Sequence, residues 1–317
     1  MLIGFEEAAE FLRGCRDAVI ITHQNPDGDC IGSGFGLKDI LAELGIRSRV
    51  ICHDEFPSPR YDFITSAGAG EDFEPQTVIA VDIADPKLMG KYCDVYGGRV
   101  QLCIDHHVSN MDYAERTLLN AKATAACEVI YDLAKFMGVN ISKHCATCLY
   151  TGISTDSGCF KYECTTPRAH EIAAEMMRSY DINFARINRY MFDVKSAGRM
   201  RLESKVTDLM ESYLGGKLNI IAVTKDIARD MGVSMDELEG FAPITIQLEQ
   251  SEVGIFIRER ENDFKCSFRS ANDVNVSDIC KTLGGGGHAK AAGCSLTGDM
   301  ESVKKMLIEA VERALGK

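Results

Sequence analysis

Residues 18–45 read AVIITHQNPDGDCIGSGFGLKDILAELG. The first five, 18–22, are a short apolar, β-branched run of the kind that forms a buried strand when turn residues bound it. A polar loop follows. Then Ile31, Phe35, Leu37, Ile40, Leu41 and Leu44 recur at roughly helical spacing until Gly45 closes the pattern. The stretch is one strand, loop and helix unit.

The same alternation continues outward. Strand patterns recur at 49–52, 77–81 and 100–104, and helical patterns run from about 124 to 137 and from Ser142 onward. Continuous apolar strands interleaved with helices predict a parallel sheet covered on both faces. Residues 168–213 read as mostly helical, YLGG at 213–216 breaks the pattern, and KLNIIAVT restarts a strand. Strand candidates then fall at 218–223, 244–248, 253–258 and 264–268, before a GGGG loop and a last amphipathic helix at 300–315. The expected fold class is α/β: an N-terminal parallel-sheet domain with helices on both faces over 1–190, a helical linker over 191–216, and a smaller C-terminal α+β domain over 217–317.

Composition narrows the setting. The 317 residues are 45% hydrophobic and 26% charged, which suits two modest cores. No apolar run reaches the roughly 18 to 20 residues that cross a bilayer, and the opening MLIGFEEAAEFLRG carries acids where a signal peptide carries a basic flank. A cytoplasmic protein with no membrane partner is expected. The 13 cysteines are scattered through core patterns (Cys52, Cys103, Cys127, Cys266), as in a reduced protein. Cys145-Ala-Thr-Cys148 reads as core packing, because no second pair stands at zinc spacing. His53, His144 and His170 lack metal-type neighbours and read as structural or surface groups. With 35 basic against 47 acidic residues the net charge is −12, which argues against coating long nucleic acid and leaves room for a small phosphorylated substrate in a pocket.

The loop Thr22-His23-Gln-Asn-Pro26-Asp27-Gly28-Asp29 places an imidazole and two carboxylates directly after a strand, where open α/β sheets bind ligands. Carboxylate oxygens and imidazole suit hard to intermediate divalent ions. Alone, the loop is equally an ordinary polar turn. TVIAVDIAD ends a second strand with Asp82, however, and VQLCIDHH ends a third with Asp105, His106 and His107. Three strand ends thus bring acids or imidazoles to one sheet edge. Asp156, in TGISTDSG, follows an apolar helical stretch among small residues; by itself it is also a helix end capped by Gly158. In the second half, Arg269-Ser270 and LGGGGHAKAAG at 283–293 suit a phosphate held by glycine backbone N–H groups, with His288 and Arg269 as further donors. A flexible turn is the plain alternative, at a high entropic cost.

In this order the motifs resemble the DHH phosphoesterases, named for the triplet seen here as Asp105-His106-His107, and the GGGGH with AAG is similar to their DHH-associated domain. The resemblance covers nearly the whole chain. In size it is to the small members with oligoribonuclease (nanoRNase) and 3′-phosphoadenosine 5′-phosphate phosphatase activity. It implies a catalytic metal-binding domain over 1–190 and a substrate-binding domain over 217–317. It further implies two divalent metal ions, Mn²⁺ first, with Mg²⁺ or Co²⁺ as alternatives. His23 and Asp27 would hold the first ion, Asp29 and His106 the second, and Asp82 and Asp156 would bridge or complete the pair. His107 would face the scissile phosphate while Asp105 orients the histidines. Arg269, Ser270, Gly285, Gly286, Gly287 and His288 would bind substrate.

The implied partners are a short oligonucleotide such as pApA or a nucleotide phosphate, no long duplex, and a second copy in a homodimer. A soluble cyclic di-AMP phosphodiesterase is the alternative reading. A manganese inorganic pyrophosphatase would carry a different C-terminal domain, a RecJ-like exonuclease would be larger, and a non-catalytic nucleotide sensor would lack the ligands. Ile83-Ala84 and Cys30 depart from the family pattern, and neither position is expected to supply a ligand.

Overall fold

The structure is a computed structural model describing residues 1–52, 59–234, 236–238 and 240–316, so the expectation for His53 lies outside the described residues. The chain forms two compact units, Met1–Val194 and Lys195–Lys317.

In the first unit the strands are β1 (Ala18–Ile21), β2 (Ser48–Ile51), β3 (Thr77–Val81), β4 (Leu102–Asp105) and β5 (Arg116–Leu119). Its helices are α1 (Phe5–Gly14), α2 (Gly28–Glu43), α3 (Asp62–Thr65), α4 (Cys93–Tyr96), α5 (Ala126–Met137), α6 (Lys143–Asp156), α7 (Pro167–Ser179) and α8 (Phe184–Asn188). The strands lie in the order β2-β1-β3-β4-β5 and every pair is parallel. Alternate residues enter two separate cores: Ala18, Ile20, Ile79, Val81, Leu102 and Ile104 on one face, and Val19, Ile21, Val78, Ala80 and Cys103 on the other. A strand buried on both faces has no polar side, which is why β1 and β3 read as unbroken apolar runs. The strand order reverses between β1 and β3, and at such a reversal the loops diverge and leave a crevice at the carboxyl ends.

Helix α2 starts at Asp27, whose carboxylate accepts the Cys30 N–H at 3.0 Å. Its glycines let α6 come close. A Cβ on Gly32 would lie 2.4 Å from the Cys148 carbonyl oxygen, and one on Gly36 2.7 Å from Leu149 Cδ2. The first of these meets backbone, which cannot turn aside. Gly32→Ala must therefore part the two helices and is expected to lower stability by about 1 to 3 kcal/mol, read as a shifted denaturant midpoint. An unchanged midpoint would contradict this packing.

His144 proves structural. Its Nδ1 lies 2.7 Å from Asp39 Oδ2 and its Nε2 2.9 Å from the Ile64 carbonyl. Both partners only accept, so the ring donates twice and is an imidazolium tying α6 to α2 and α3. The Asp39 hydrogen bond holds the His144 pKa above its usual value against the opposing effect of burial. A raised folded-state value gives stability that is complete below the ordinary histidine pKa and lost as pH rises through the folded one. His144→Leu should accordingly lose about 1 to 2 kcal/mol relative to wild type at about pH 6, and the gap should close toward about pH 9 in paired unfolding curves. A gap independent of pH would refute the charged clamp. His170 is structural as well, its ring stacked on Phe160 at 4.9 Å.

The second unit contains α9 (Ala197–Val206), β6 (Met210–Tyr213), β7 (Leu218–Val223), α10 (Lys225–Met231), β8 (Val253–Glu259), β9 (Phe264–Ser270), α11 (Val276–Thr282), β10 (Gly286–Gly287), β11 (Ala291–Leu296) and α12 (Met300–Leu315). Its sheet runs β10-β11-β9-β8-β7-β6, with β7 and β8 parallel and the other pairs antiparallel. Helices α11 and α12 close a core against one face, and α9 and α10 help close a second against the other.

One expected strand is absent. Residues 244–248 do not extend; Ala242–Ile246 is a 3₁₀ turn. Pro243 at its start has no N–H to give a ladder, and the Thr245 hydroxyl donates to the Ala242 carbonyl at 2.6 Å. That turn packs onto β8 at Gly254, where a side chain would collide with Thr245.

All 13 cysteines are free thiols, with Cys145 and Cys148 in the core. Among the described residues no helix is long and apolar enough to cross a membrane.

Candidate metal and catalytic centre

Four features of the first unit converge at the carboxyl ends of β1, β3 and β4. His23 follows β1, and Asp27 and Asp29 stand at the cap and in the first turn of α2. Asp82 follows β3 directly. Asp105 ends β4 and is succeeded by His106 and His107. Asp156 is the last residue of α6. All eight of these predicted residues lie together. His23 Nε2 is 3.8 Å from Asp27 Oδ1 and 3.7 Å from Asp82 Oδ2. His106 Nε2 is 3.3 Å from Asp156 Oδ2, 3.6 Å from Asp82 Oδ1 and 3.8 Å from Asp29 Oδ2. Asp82 thus touches both imidazoles, as the β1/β3 reversal dictates.

Backbone geometry confirms how tightly the parts are held. Asp82 sits at φ +57°, a left-handed conformation uncommon for a residue with a side chain, and its N–H is fixed by the Ile104 carbonyl at 2.9 Å. Asp29 is fully buried, and its two oxygens accept the N–H groups of Ala126 at 2.7 Å and Cys127 at 2.9 Å, at the start of α5. A helix N-terminus favours an anion there. Gly152 on α6 keeps that space open, since its Cβ would fall 2.6 Å from Asp29 Oδ1.

Asp105 differs from the other acids because its hydrogen-bonding capacity is spent. Oδ1 accepts the N–H groups of His106 and His107 at 2.7 and 3.2 Å and His107 Nδ1–H at 2.8 Å, while Asn110 donates to Oδ2 at 2.6 Å. Burial alone would raise the Asp105 pKa, but the bonds from His107 and Asn110 outweigh it and hold the carboxyl below its ordinary range. His106 Nδ1 faces the Ala123 carbonyl at 3.3 Å, which makes Nδ1 the donor and turns the Nε2 lone pair toward the acids. Of the three imidazoles His107 is the most accessible, at 36% against 17% for His23 and 13% for His106.

The donor set fits divalent cations. Asp82 Oδ1 and His106 Nε2 are buried with no hydrogen-bond partner among the described residues, although they face each other. A lone pair opposed to carboxylates is repulsive until something positive lies between them. Burial first, and then the neighbouring aspartates, push the carboxyls of Asp82 and Asp156 well above their usual range. Nitrogen and oxygen ligands about 2.1 Å from one ion are separated by about 3.0 to 3.5 Å, the scale of the contacts around His106. Within the cluster Asp82, His106 and His107 form one close donor group and Asp29, His106 and Asp156 another.

The remaining predicted residues lie in the second unit. Arg269 on β9 pairs with Ala291 on β11, and a tight turn joins His288 to Ala291, so Arg269, Gly286, Gly287 and the exposed His288 share one end of the sheet. Ser270 is buried and donates its hydroxyl to the Asn272 carbonyl at 3.0 Å. The Gly285 N–H is bonded to the Cys280 carbonyl at 2.8 Å, and a Cβ there would lie 2.2 Å from the Gly293 oxygen. Close packing on β11 is thus what Gly285 supplies, not a free donor. Arg269 also lines a cavity of about 260 Å³ with Arg258, Lys265 and Ser267. A larger groove of about 1250 Å³, lined by Asn272, Asp278 and Arg313 among others, contains none of the predicted residues.

The sequence pattern did not mark Asn110, Gly152 or the N-terminus of α5, and it marked Cys30 only as a departure from the family pattern with no ligand role. Only Asn110 carries a polar side chain that could have been noticed, five residues beyond Asp105.

Comparison with known proteins places this geometry. The N-terminal domain of the DHH family matches residues 17–153, and the DHHA1 domain matches 201–317. The bifunctional oligoribonuclease and PAP phosphatase NrnA of Thermus thermophilus is 31% identical over 97% of the chain and 93% of its own length. A probable enzyme of the same name from Streptococcus mutans is 28% identical over 88% of the chain and 89% of its own. Among solved structures, an exopolyphosphatase-related protein from Bacteroides fragilis superposes with a TM-score of 0.90 at 25% identity, covering 98% of this chain and 95% of that one. The chain belongs to the DHH family of phosphoesterases, hydrolases of phosphate ester bonds, and joins a DHH domain to a DHHA1 domain.

Proposed function

We propose that the protein is a divalent-metal-dependent phosphoesterase that cleaves short oligonucleotides, dinucleotides such as pApA foremost, and also accepts 3′-phosphoadenosine 5′-phosphate. The observation that carries this reading is the pair of buried, unpartnered donors, Asp82 Oδ1 and His106 Nε2, at the centre of the acidic cluster. The named activity of the NrnA relatives supplies the substrate class.

His23, Asp27 and Asp82 would hold one ion, and Asp29, Asp82, His106 and Asp156 the other, with Mn²⁺ the first candidate. When bound, such a pair lowers the pKa of water and polarises a phosphoryl oxygen. The chain's own groups do the rest. Asp105 fixes the ring of His107 through Nδ1, which leaves Nε2 to meet the phosphate or the leaving oxygen. Asn110 and the backbone of His106 and His107 keep Asp105 from swinging into the cluster. On the DHHA1 domain, Arg269 and His288, with the neighbouring Lys265, are assigned to substrate phosphate.

A hydrolysis panel with Mn²⁺ tests the reading: pApA, longer RNA, cyclic di-AMP, 3′-phosphoadenosine 5′-phosphate and pyrophosphate. A dinucleotide should be cleaved fastest. Fastest cleavage of cyclic di-AMP would make the protein a cyclic-dinucleotide phosphodiesterase instead, and fastest cleavage of pyrophosphate or long RNA would overturn the substrate class.

A further inference from the structure

We infer that the Cys30 thiol is a ligand at the His23 end of the cluster, so that this position prefers a softer divalent cation than its neighbour. The inference rests on the metal reading above and goes beyond it by assigning a donor and an ion type to one position.

Cys30 is the third residue of α2 and is fully buried. Its Sγ, a ring nitrogen of His23 and a carboxylate oxygen of Asp82 lie within 4.8 Å of one another. Sulfur and nitrogen bound to one ion at tetrahedral angles are about 3.6 Å apart, inside that span. The sulfur is pinned beside His23, whose backbone N–H it accepts at 3.1 Å. Among the described residues its own proton has only the Val81 carbonyl to approach, at 4.0 Å, too long for a strong bond. The Asp82 side chain that completes the group is 3% exposed, and its Oδ2 lies 3.7 Å from His23 Nε2.

The other group, Asp29, His106 and Asp156, offers nitrogen and oxygen only. The two positions therefore differ in softness. Thiolate favours Zn²⁺, Co²⁺ or Cd²⁺ over Mg²⁺ and Mn²⁺, while carboxylate and imidazole accept the harder ions. As the sulfur–metal bond forms, the S–H bond breaks and its proton leaves to solvent; no oxidant or reductant takes part.

Co²⁺ is the probe. The wild-type protein loaded with Co²⁺ should show visible d–d bands and a near-ultraviolet sulfur-to-cobalt charge-transfer band. Cys30→Ser, which keeps an acceptor for the His23 N–H, should retain the d–d bands and lose the charge-transfer band. Its affinity for Cd²⁺ should fall at least about tenfold, with Mn²⁺ affinity changed far less. On the wild-type chain alone, zinc X-ray absorption should show a sulfur neighbour at about 2.3 Å. Bound Co²⁺ without the charge-transfer band, a band that survives in Cys30→Ser, or zinc with no sulfur neighbour would overturn the assignment of Cys30 and leave the metal reading intact. Failure of the wild-type protein to bind Co²⁺, Mn²⁺ or Zn²⁺ in equilibrium dialysis would overturn both.

Discussion

Asp82→Asn should lower hydrolysis by on the order of 10³-fold and at the same time raise the melting temperature of the metal-free protein by a few degrees. The two effects have one cause. Asp82 is buried among Asp27, Asp29, Asp105 and Asp156, and its carboxyl is pushed far above the usual range by burial and then by those neighbours. A raised folded-state value means that the charged form opposes folding, so stability is greatest below the ordinary aspartate pKa and declines as pH climbs toward the folded value. The amide removes the charge and with it that decline, which gives the variant a flatter stability profile between about pH 4 and pH 8. Asparagine also tolerates the left-handed backbone at φ +57°, where alanine would add strain of its own. Saturating Mn²⁺ at about a hundred times its dissociation constant should stabilise wild type by about 2.7 kcal/mol and the variant much less. A variant that is less stable than wild type without metal, or that keeps its activity, would show that Asp82 is held by something other than a cation.

Asp105→Asn tests the opposite role. Asp105 receives four N–H groups, whereas Asp82 Oδ1 receives none among the described residues. An amide placed there must turn its NH₂ against existing donors on one side or the other, so His107 loses either its orientation or its tautomer. Turnover should fall by about 10²-fold and stability by about 1 to 3 kcal/mol, while the number of Mn²⁺ bound stays at two. Loss of one bound ion in this variant would make Asp105 a ligand, contrary to the geometry.

Much of this was legible in the sequence because burial on both faces leaves little freedom: Ala18 to Ile21 and Thr77 to Val81 can only be inner strands, and the residues at the carboxyl ends of such strands border the crevice. Asp82 and the Asp105-His106-His107 triplet were visible for that reason. Strand β5 was not, since Arg116-Thr-Leu-Leu is short and lies at the edge. Residues 244–248 misled because ITIQL has strand composition, while Pro243 and the room that Gly254 leaves for Thr245 decide for a turn. The support of Asp29 was illegible in principle, because its partners are the backbone N–H groups of Ala126 and Cys127 and no side chain announces them. The glycine run hid two purposes in one motif: Gly285 and Gly287 are required by contact with β11, whereas Gly286 meets nothing.

Anomalous scattering from crystals grown with Mn²⁺ shows directly whether these side chains gather around a pair of cations. Two peaks about 3.5 to 4 Å apart are expected, one beside His23 and one beside His106, with Asp82 between them. A map with no peak at Asp82, in crystals that bind Mn²⁺ elsewhere, would contradict it.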